Sequence, residues 1–136
     1  MHITDQPTRV ITVLGSCLAV TMYCRRLGVG GICHGQLPLC DLKKPCASNC
    51  LGCLKYVDCS ILQMVKIFDQ HLVKRSEIEV KCFGGADMFS RSSDRASIAS
   101  IGKQNIEAAQ RTLMGAGLHP IALDVGGLQG LSLIHI

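Results

Sequence analysis

The chain has 136 residues, 48% of them apolar, which suits one domain with its own core and excludes a disordered segment. Aromatics make up only 4%, with no Trp, so a platform that stacks nucleic-acid bases is disfavoured. Fourteen Lys and Arg against ten Asp and Glu give a formal charge of +4 scattered along the chain, which reads as solvated surface.

Nine cysteines cannot all pair within one chain, and a domain with an apolar core needs no disulfide staples. A reducing compartment with mostly unpaired thiols is expected. Leu14-Gly15-Ser16-Cys17 loosely resembles a lipoprotein cleavage box, but only the five residues 10–14 precede it as an apolar run. A signal peptide needs roughly 7–15. The apolar run 10–24 is also shorter than the about 20 residues a bilayer span takes. The sequence therefore predicts a cytoplasmic protein with no membrane insertion.

Residues 1–9 read as a polar lead-in arm. Residues 10–14 are β-branched and apolar, a buried strand. A tight Gly15-Ser16-Cys17 turn leads to a second strand at 18–23, ended by Arg25, Arg26 and Gly28 in a hairpin turn. Residues 29–35 form the third strand, where Gly30 and Gly31 suggest a bulge or a close backbone approach. Residues 39–54 hold Cys, Lys and Pro without periodicity and read as a loop.

A helix follows at 55–74, with Val57, Ile61, Met64, Val65, Phe68 and Leu72 on one apolar face. Residues 77–83 alternate, with Ile78, Val80 and Cys82 inward, so they form a strand. A Ser-rich loop is expected at 91–100. A second helix spans 102–115, with Ile106, Ala109, Leu113 and Met114 inward and Gly115 or Gly117 as its stop. Residues 119–125 are another strand, and 128–136 supply one more short strand. Strands first, then helices alternating with strands, give a mixed α/β or α+β sheet in a single domain over 1–136.

The chemistry concentrates in residues 10–38. Cys17 follows Gly15 and Ser16, where backbone bends sharply and a side chain is presented rather than packed. His34 ends the third strand, between Cys33 and Gly35. If the strands are neighbours, thiol and imidazole meet at one end of a sheet, the minimal activated-nucleophile pair. Ser16 reads as a small turn residue. Cys24, Cys33, Cys59 and Cys82 read as core, and His2, His71, His119 and His135 have no evident partner.

Six motifs, ITVLGSCLAV, GGICHGQLP, KYVDCSI, KCFGGADMF, IGKQN and DVGG, follow one another over residues 10–127. Together they resemble the CheD family of chemoreceptor glutamine deamidases. The resemblance implies a cytoplasmic chemotaxis enzyme that hydrolyses glutamine side chains of methyl-accepting chemotaxis receptors to glutamate and ammonia. It assigns the nucleophile to Cys17, the histidine to His34 and an orienting threonine to Thr12, which otherwise reads as a β-branched strand residue. It implies a CheC-type phosphatase as partner. It also implies a sheet sandwich with flanking helices, related to the deamidase domain of cytotoxic necrotizing factor toxins. Backbone N–H groups of the turn from Gly15 through Ser16 to Cys17 are the expected oxyanion donors. No cofactor motif is visible and the chemistry requires no metal.

Two departures stand out. Cys40, Cys46, Cys50 and Cys53 crowd the loop after His34 with a spacing that matches no standard signature. Zinc, an iron–sulfur cluster, a redox disulfide and an ordinary cysteine-containing loop are all open. Residues 128–136 form an atypical end, so the C-terminal strands of the sheet are expected to be truncated and an edge exposed. Two rivals to the enzyme follow. One is a non-catalytic regulatory module that binds a CheC-like phosphatase or a receptor. The other is a metal or redox sensor built on the four cysteines.

Overall fold

The apolar run after the Gly-Ser-Cys turn becomes the middle of a sheet. In a computed structural model, which describes residues 1–40, 51–87 and 100–135, strand β3 spans Leu18–Cys24 and has six of its seven residues buried. A strand covered on both faces is mostly apolar on both: here one side carries Leu18, Val20, Met22 and Cys24 and the other Ala19 and the buried Thr21. It pairs antiparallel with β4 (Val29–Gly35) and with β5 (Ile78–Gly84), so that Ala19 faces both His34 and Phe83. Strand β1 (His2–Thr4) adds antiparallel to β4, and β6 (Pro120–Val125) adds parallel to β5. The sheet order is β1-β4-β3-β5-β6.

Alternation along β3 sorts the core into two layers. Leu18, Val20 and Met22 face helices α1 (Val57–Gln70) and α2 (Ile101–Gly115), meeting Ile61, Met64 and Phe68 of the first and Leu113 of the second. Burial of each large side chain contributes about 1.5–3 kcal/mol, and this layer holds the helices to the sheet. Ala19 and Ile32 face the other way, under Leu14. There a two-stranded antiparallel ribbon, β2 (Val10–Leu14) with β7 (Leu131–His135), covers the sheet. The mixed sheet sandwich with flanking helices is therefore present. Among the described residues no helix is long and apolar enough to cross a membrane.

Several sequence expectations change. The lead-in arm contains β1, whose Ile3 packs against the helix-facing core. Strand β2 is not buried on both faces: Ile11 is 58% and Val13 73% exposed, while Val10, Thr12 and Leu14 turn inward. The first helix stops at Gln70, and Leu72 lies beyond it in left-handed backbone (φ 55°), 85% exposed rather than inward. Met114 also points to solvent. The β3–β4 register shows no bulge, so the glycine pair serves close approach instead. A Cβ on Gly31 would lie 3.0 Å from the Met64 sulfur. The terminal strand exists as β7 and finds β2 as its partner. The Ser-rich loop at 91–99, and residues 41–50 of the cysteine-rich loop, lie outside the described residues.

Candidate functional site

Leu14 and Leu18 are fully buried anchors at the end of β2 and the start of β3. Gly15, Ser16 and Cys17 must carry the chain between the ribbon and the sheet in three residues. Each of their carbonyls is tied down. Gly15 O accepts from the Ala86 N–H at 2.8 Å, and Cys17 O accepts from the Gly85 N–H at 2.7 Å. Ser16 O accepts from the Asn105 side-chain amide at 2.8 Å.

The partner segment needs its glycines. Gly84 and Gly85 have φ of 100° and 70°, in the left-handed half of the map, and a Cβ on Gly84 would collide with the Cys17 carbonyl oxygen. Behind them the Gly126 N–H donates to Gly84 O and the Asp87 N–H to Gly127 O, both at 2.8 Å. The sequence pairs Gly84-Gly85 and Gly126-Gly127 thus form one stack of turns that backs the cysteine.

His34 sits on β4 opposite Ala19, and Cys17 lies two residues before Ala19. Cys17 thus enters β3 on the same side of the sheet as Ala19, the face that carries His34. Thr12 reaches down from the ribbon, and its Oγ1 lies 3.0 Å from His34 Nδ1. His34 Nε2 is buried with no hydrogen-bond partner, so no thiol–imidazole hydrogen bond is formed. Catalytic hydrogen bonds commonly tighten only when substrate is bound. Burial, with a smaller push from the N-terminal ammonium group, holds the imidazole below the ordinary histidine value. A neutral ring with one nitrogen engaged and the other open is equipped to accept a proton. A cavity of about 560 Å³, lined in part by Val10, Tyr23 and Ile32, lies one pleat further along the same strands.

The other thiols are different. Cys24, Cys33 and Cys82 are core, as the sequence suggests, and burial pushes Cys33 and Cys82 up to about 12. Of the four loop cysteines, Cys40 and Cys53 come together, while Cys46 and Cys50 lie outside the described residues. Cys59, read from the sequence as core, joins them although it is buried. Its place in the first turn of α1, facing the loop, was the available signal.

Asn105 is the residue that sequence reasoning missed. It lies in the IGKQN motif, is completely buried, and donates to Gln36 O at 3.1 Å as well as to Ser16 O. Both partners are carbonyls, which fixes the amide orientation. The side chain clamps the cysteine turn to the segment that follows His34. A polar residue inside an apolar helix face marks such a clamp. Asn105→Leu keeps the branched outline and removes both donors. We expect a stability loss of about 2–3 kcal/mol in urea unfolding. Under about 0.5 kcal/mol would mean the clamp carries no weight.

Comparison with known proteins agrees with the motifs. The family model described as CheD chemotactic sensory transduction matches residues 41–135, downstream of Cys17 and His34. A protein of Maridesulfovibrio salexigens named probable chemoreceptor glutamine deamidase CheD is 40% identical over 134 residues, covering 95% of this chain and 76% of that protein. The Geobacter sulfurreducens protein named probable chemoreceptor glutamine deamidase CheD 2 is 36% identical over 97% of this chain and 76% of its own. A Methanococcus maripaludis protein of the same CheD name is 32% identical over 91% of this chain and 75% of its own. These relatives span the turn and the histidine as well as the later motifs. The chain belongs to the CheD family.

Proposed function

We propose that this protein is a protein-glutamine deamidase of chemoreceptors and that a single domain carries the whole site. The observation that carries the reading is the Thr12 Oγ1–His34 Nδ1 contact at 3.0 Å, which leaves Nε2 without a hydrogen-bond partner while Cys17 lies two residues before Ala19, the residue paired with His34. In this scheme Nδ1–H donates to Thr12 Oγ1 and fixes the tautomer. Nε2 takes the Cys17 proton as the sulfur attacks the glutamine Cδ, and gives it to the departing ammonia. Water, deprotonated by the same nitrogen, then cleaves the thioester and leaves glutamate. The carbonyls of Gly15, Ser16 and Cys17 are all held from the β5 and α2 side. Their tethering supports the opposite, N–H edge of the turn as the oxyanion site. Methyl-accepting receptors as substrate, a CheC-type phosphatase as regulator and a cytoplasmic location belong to the same proposal.

The test uses a chemoreceptor cytoplasmic fragment incubated with the reduced protein. Each converted glutamine adds about one mass unit and releases one ammonia, the amide-to-acid exchange of this hydrolysis. Mass shift and ammonia in equal amounts are the expected result. If folded, reduced protein yields neither, the deamidase reading fails and the regulatory-module reading replaces it.

A further inference from the structure

Three thiols that the candidate catalytic site leaves unused converge elsewhere. The sulfurs of Cys40, Cys53 and Cys59 all lie within 4.8 Å of one another, and those of Cys40 and Cys53 are 3.8 Å apart. A tetrahedral zinc with Zn–S bonds of about 2.3 Å holds its sulfurs about 3.8 Å apart. A disulfide would need about 2.05 Å.

Three separate pieces of chain deliver the sulfurs. Cys40 lies in the segment after β4, Cys53 lies in a 3-10 turn (Leu51–Lys55), and Cys59 lies in the first turn of α1. Cys53 and Cys59 are buried, whereas Cys40 is half-buried and gives access. The Asp58 carboxylate accepts from the Cys40 N–H at 3.2 Å through both oxygens and from the Cys59 N–H at 2.7 Å. One carboxylate thus fixes the backbone of two of the three thiols, the role outer-shell partners play around metal ligands.

We propose that Cys40, Cys53 and Cys59 bind one thiophilic divalent cation of the zinc type and supply three of its four ligands. Each thiol gives its proton to solvent, so one dication exchanges for three protons and no redox partner is needed. The bound ion staples the segment after His34 to the start of α1. The same segment is already tied there by the Gln36 and Leu37 N–H groups donating to Lys55 O at 2.7 and 3.0 Å. Asn105 then connects it, through Gln36 O, to Ser16 O beside Cys17. The ion thereby steadies the cysteine turn from a distance, and the site stands whether or not the deamidase reading does.

The experiment is anaerobic purification under reducing conditions, chelation, and titration of the full chain with zinc and with cobalt(II). We expect one equivalent of zinc per chain, release of close to three protons, and a rise in the thermal midpoint that a chelator reverses. Cobalt should give intense tetrahedral bands with thiolate charge transfer. Cys40→Ser, the least buried of the three, should remain folded and lose at least about 100-fold in affinity, since even outer-shell changes reach that size. Cys59→Ser should do the same, and Cys17→Ser should keep the metal. Less than about one tenth of an equivalent of zinc, an octahedral cobalt spectrum without thiolate bands, or a Cys40–Cys53 disulfide in protein kept reduced would overturn the site. So would full affinity in both Cys40→Ser and Cys59→Ser. The cobalt spectrum of the unaltered protein decides the matter even if a variant fails to fold.

Discussion

Cys17→Ser is expected to leave a folded protein whose deamidation of a receptor fragment falls on the order of 10⁴-fold or more. The exchange removes one property, the readiness of sulfur to carry negative charge, and keeps the size. A hydroxyl at this turn keeps its proton against a neutral imidazole whose own basicity is depressed by burial. Stability should change by less than about 1 kcal/mol, because Cys17 is half-buried and lies at the margin of the smaller core layer. Two of the core thiols are poorly suited to take over. Cys33 and Cys82, at about 12, are thiolate in about one molecule in 10⁵ at neutral pH. The measurement is mass spectrometry of the fragment, with circular dichroism and urea unfolding on both proteins. Activity within tenfold of the native value would place the nucleophile elsewhere.

The parts of this site differ in how far the sequence announces them. Cys17 is announced by its turn, since Gly15 and Ser16 have no other evident reason to interrupt two apolar runs. His34 follows from strand alternation and the hairpin at Gly28, which together fix the β3–β4 register. Thr12 is legible only through the family motif. Its contact with His34 crosses two layers, and no periodicity predicts that one strand leaves the sheet and lies over it.

The same event explains the misreading of β2 as a buried strand. Val10, Thr12 and Leu14 have a layer beneath them, but Ile11 and Val13 have nothing above. Asn105 was hidden for a related reason. Its partners Ser16 and Gln36 are 89 and 69 residues away, so its meaning appears only when α2 docks. Cys59 was hidden by its own burial, which reads as core until the loop cysteines arrive beside it. Local pattern thus defines elements and turns, while contacts between layers define roles.

His34→Gln is expected to lower kcat/KM about 10³-fold, the range lost when a general base is removed. The pH profile of the native protein tests the same group without altering it. In the proposed scheme the active form is the neutral imidazole, because only that form can take the thiol proton. Burial disfavours the cation, so the ring stays neutral to lower pH than an ordinary histidine. The rate should therefore hold as pH falls through about 6.5, the reference value, and drop tenfold per unit only below the depressed pKa. Stability has the same sign. The unfolded chain binds a proton that folded His34 resists, so His34 contributes a loss of stability that begins near pH 6.5 and is complete below its folded pKa.

Thr12→Val separates orientation from basicity. Valine keeps the shape and the strand preference but cannot accept from Nδ1–H, and about 1–1.5 kcal/mol, roughly tenfold in kcat, should go with it. Thr12→Ser, which restores the hydroxyl, should recover most of that loss. An acid limb centred at or above pH 7 would mean that burial does not hold His34 below the ordinary histidine value. A rate that falls on the alkaline side as an imidazolium loses its proton would instead make a thiolate–imidazolium pair the ground state. A Thr12→Val protein as fast as the native one would leave the imidazole oriented by the sheet alone.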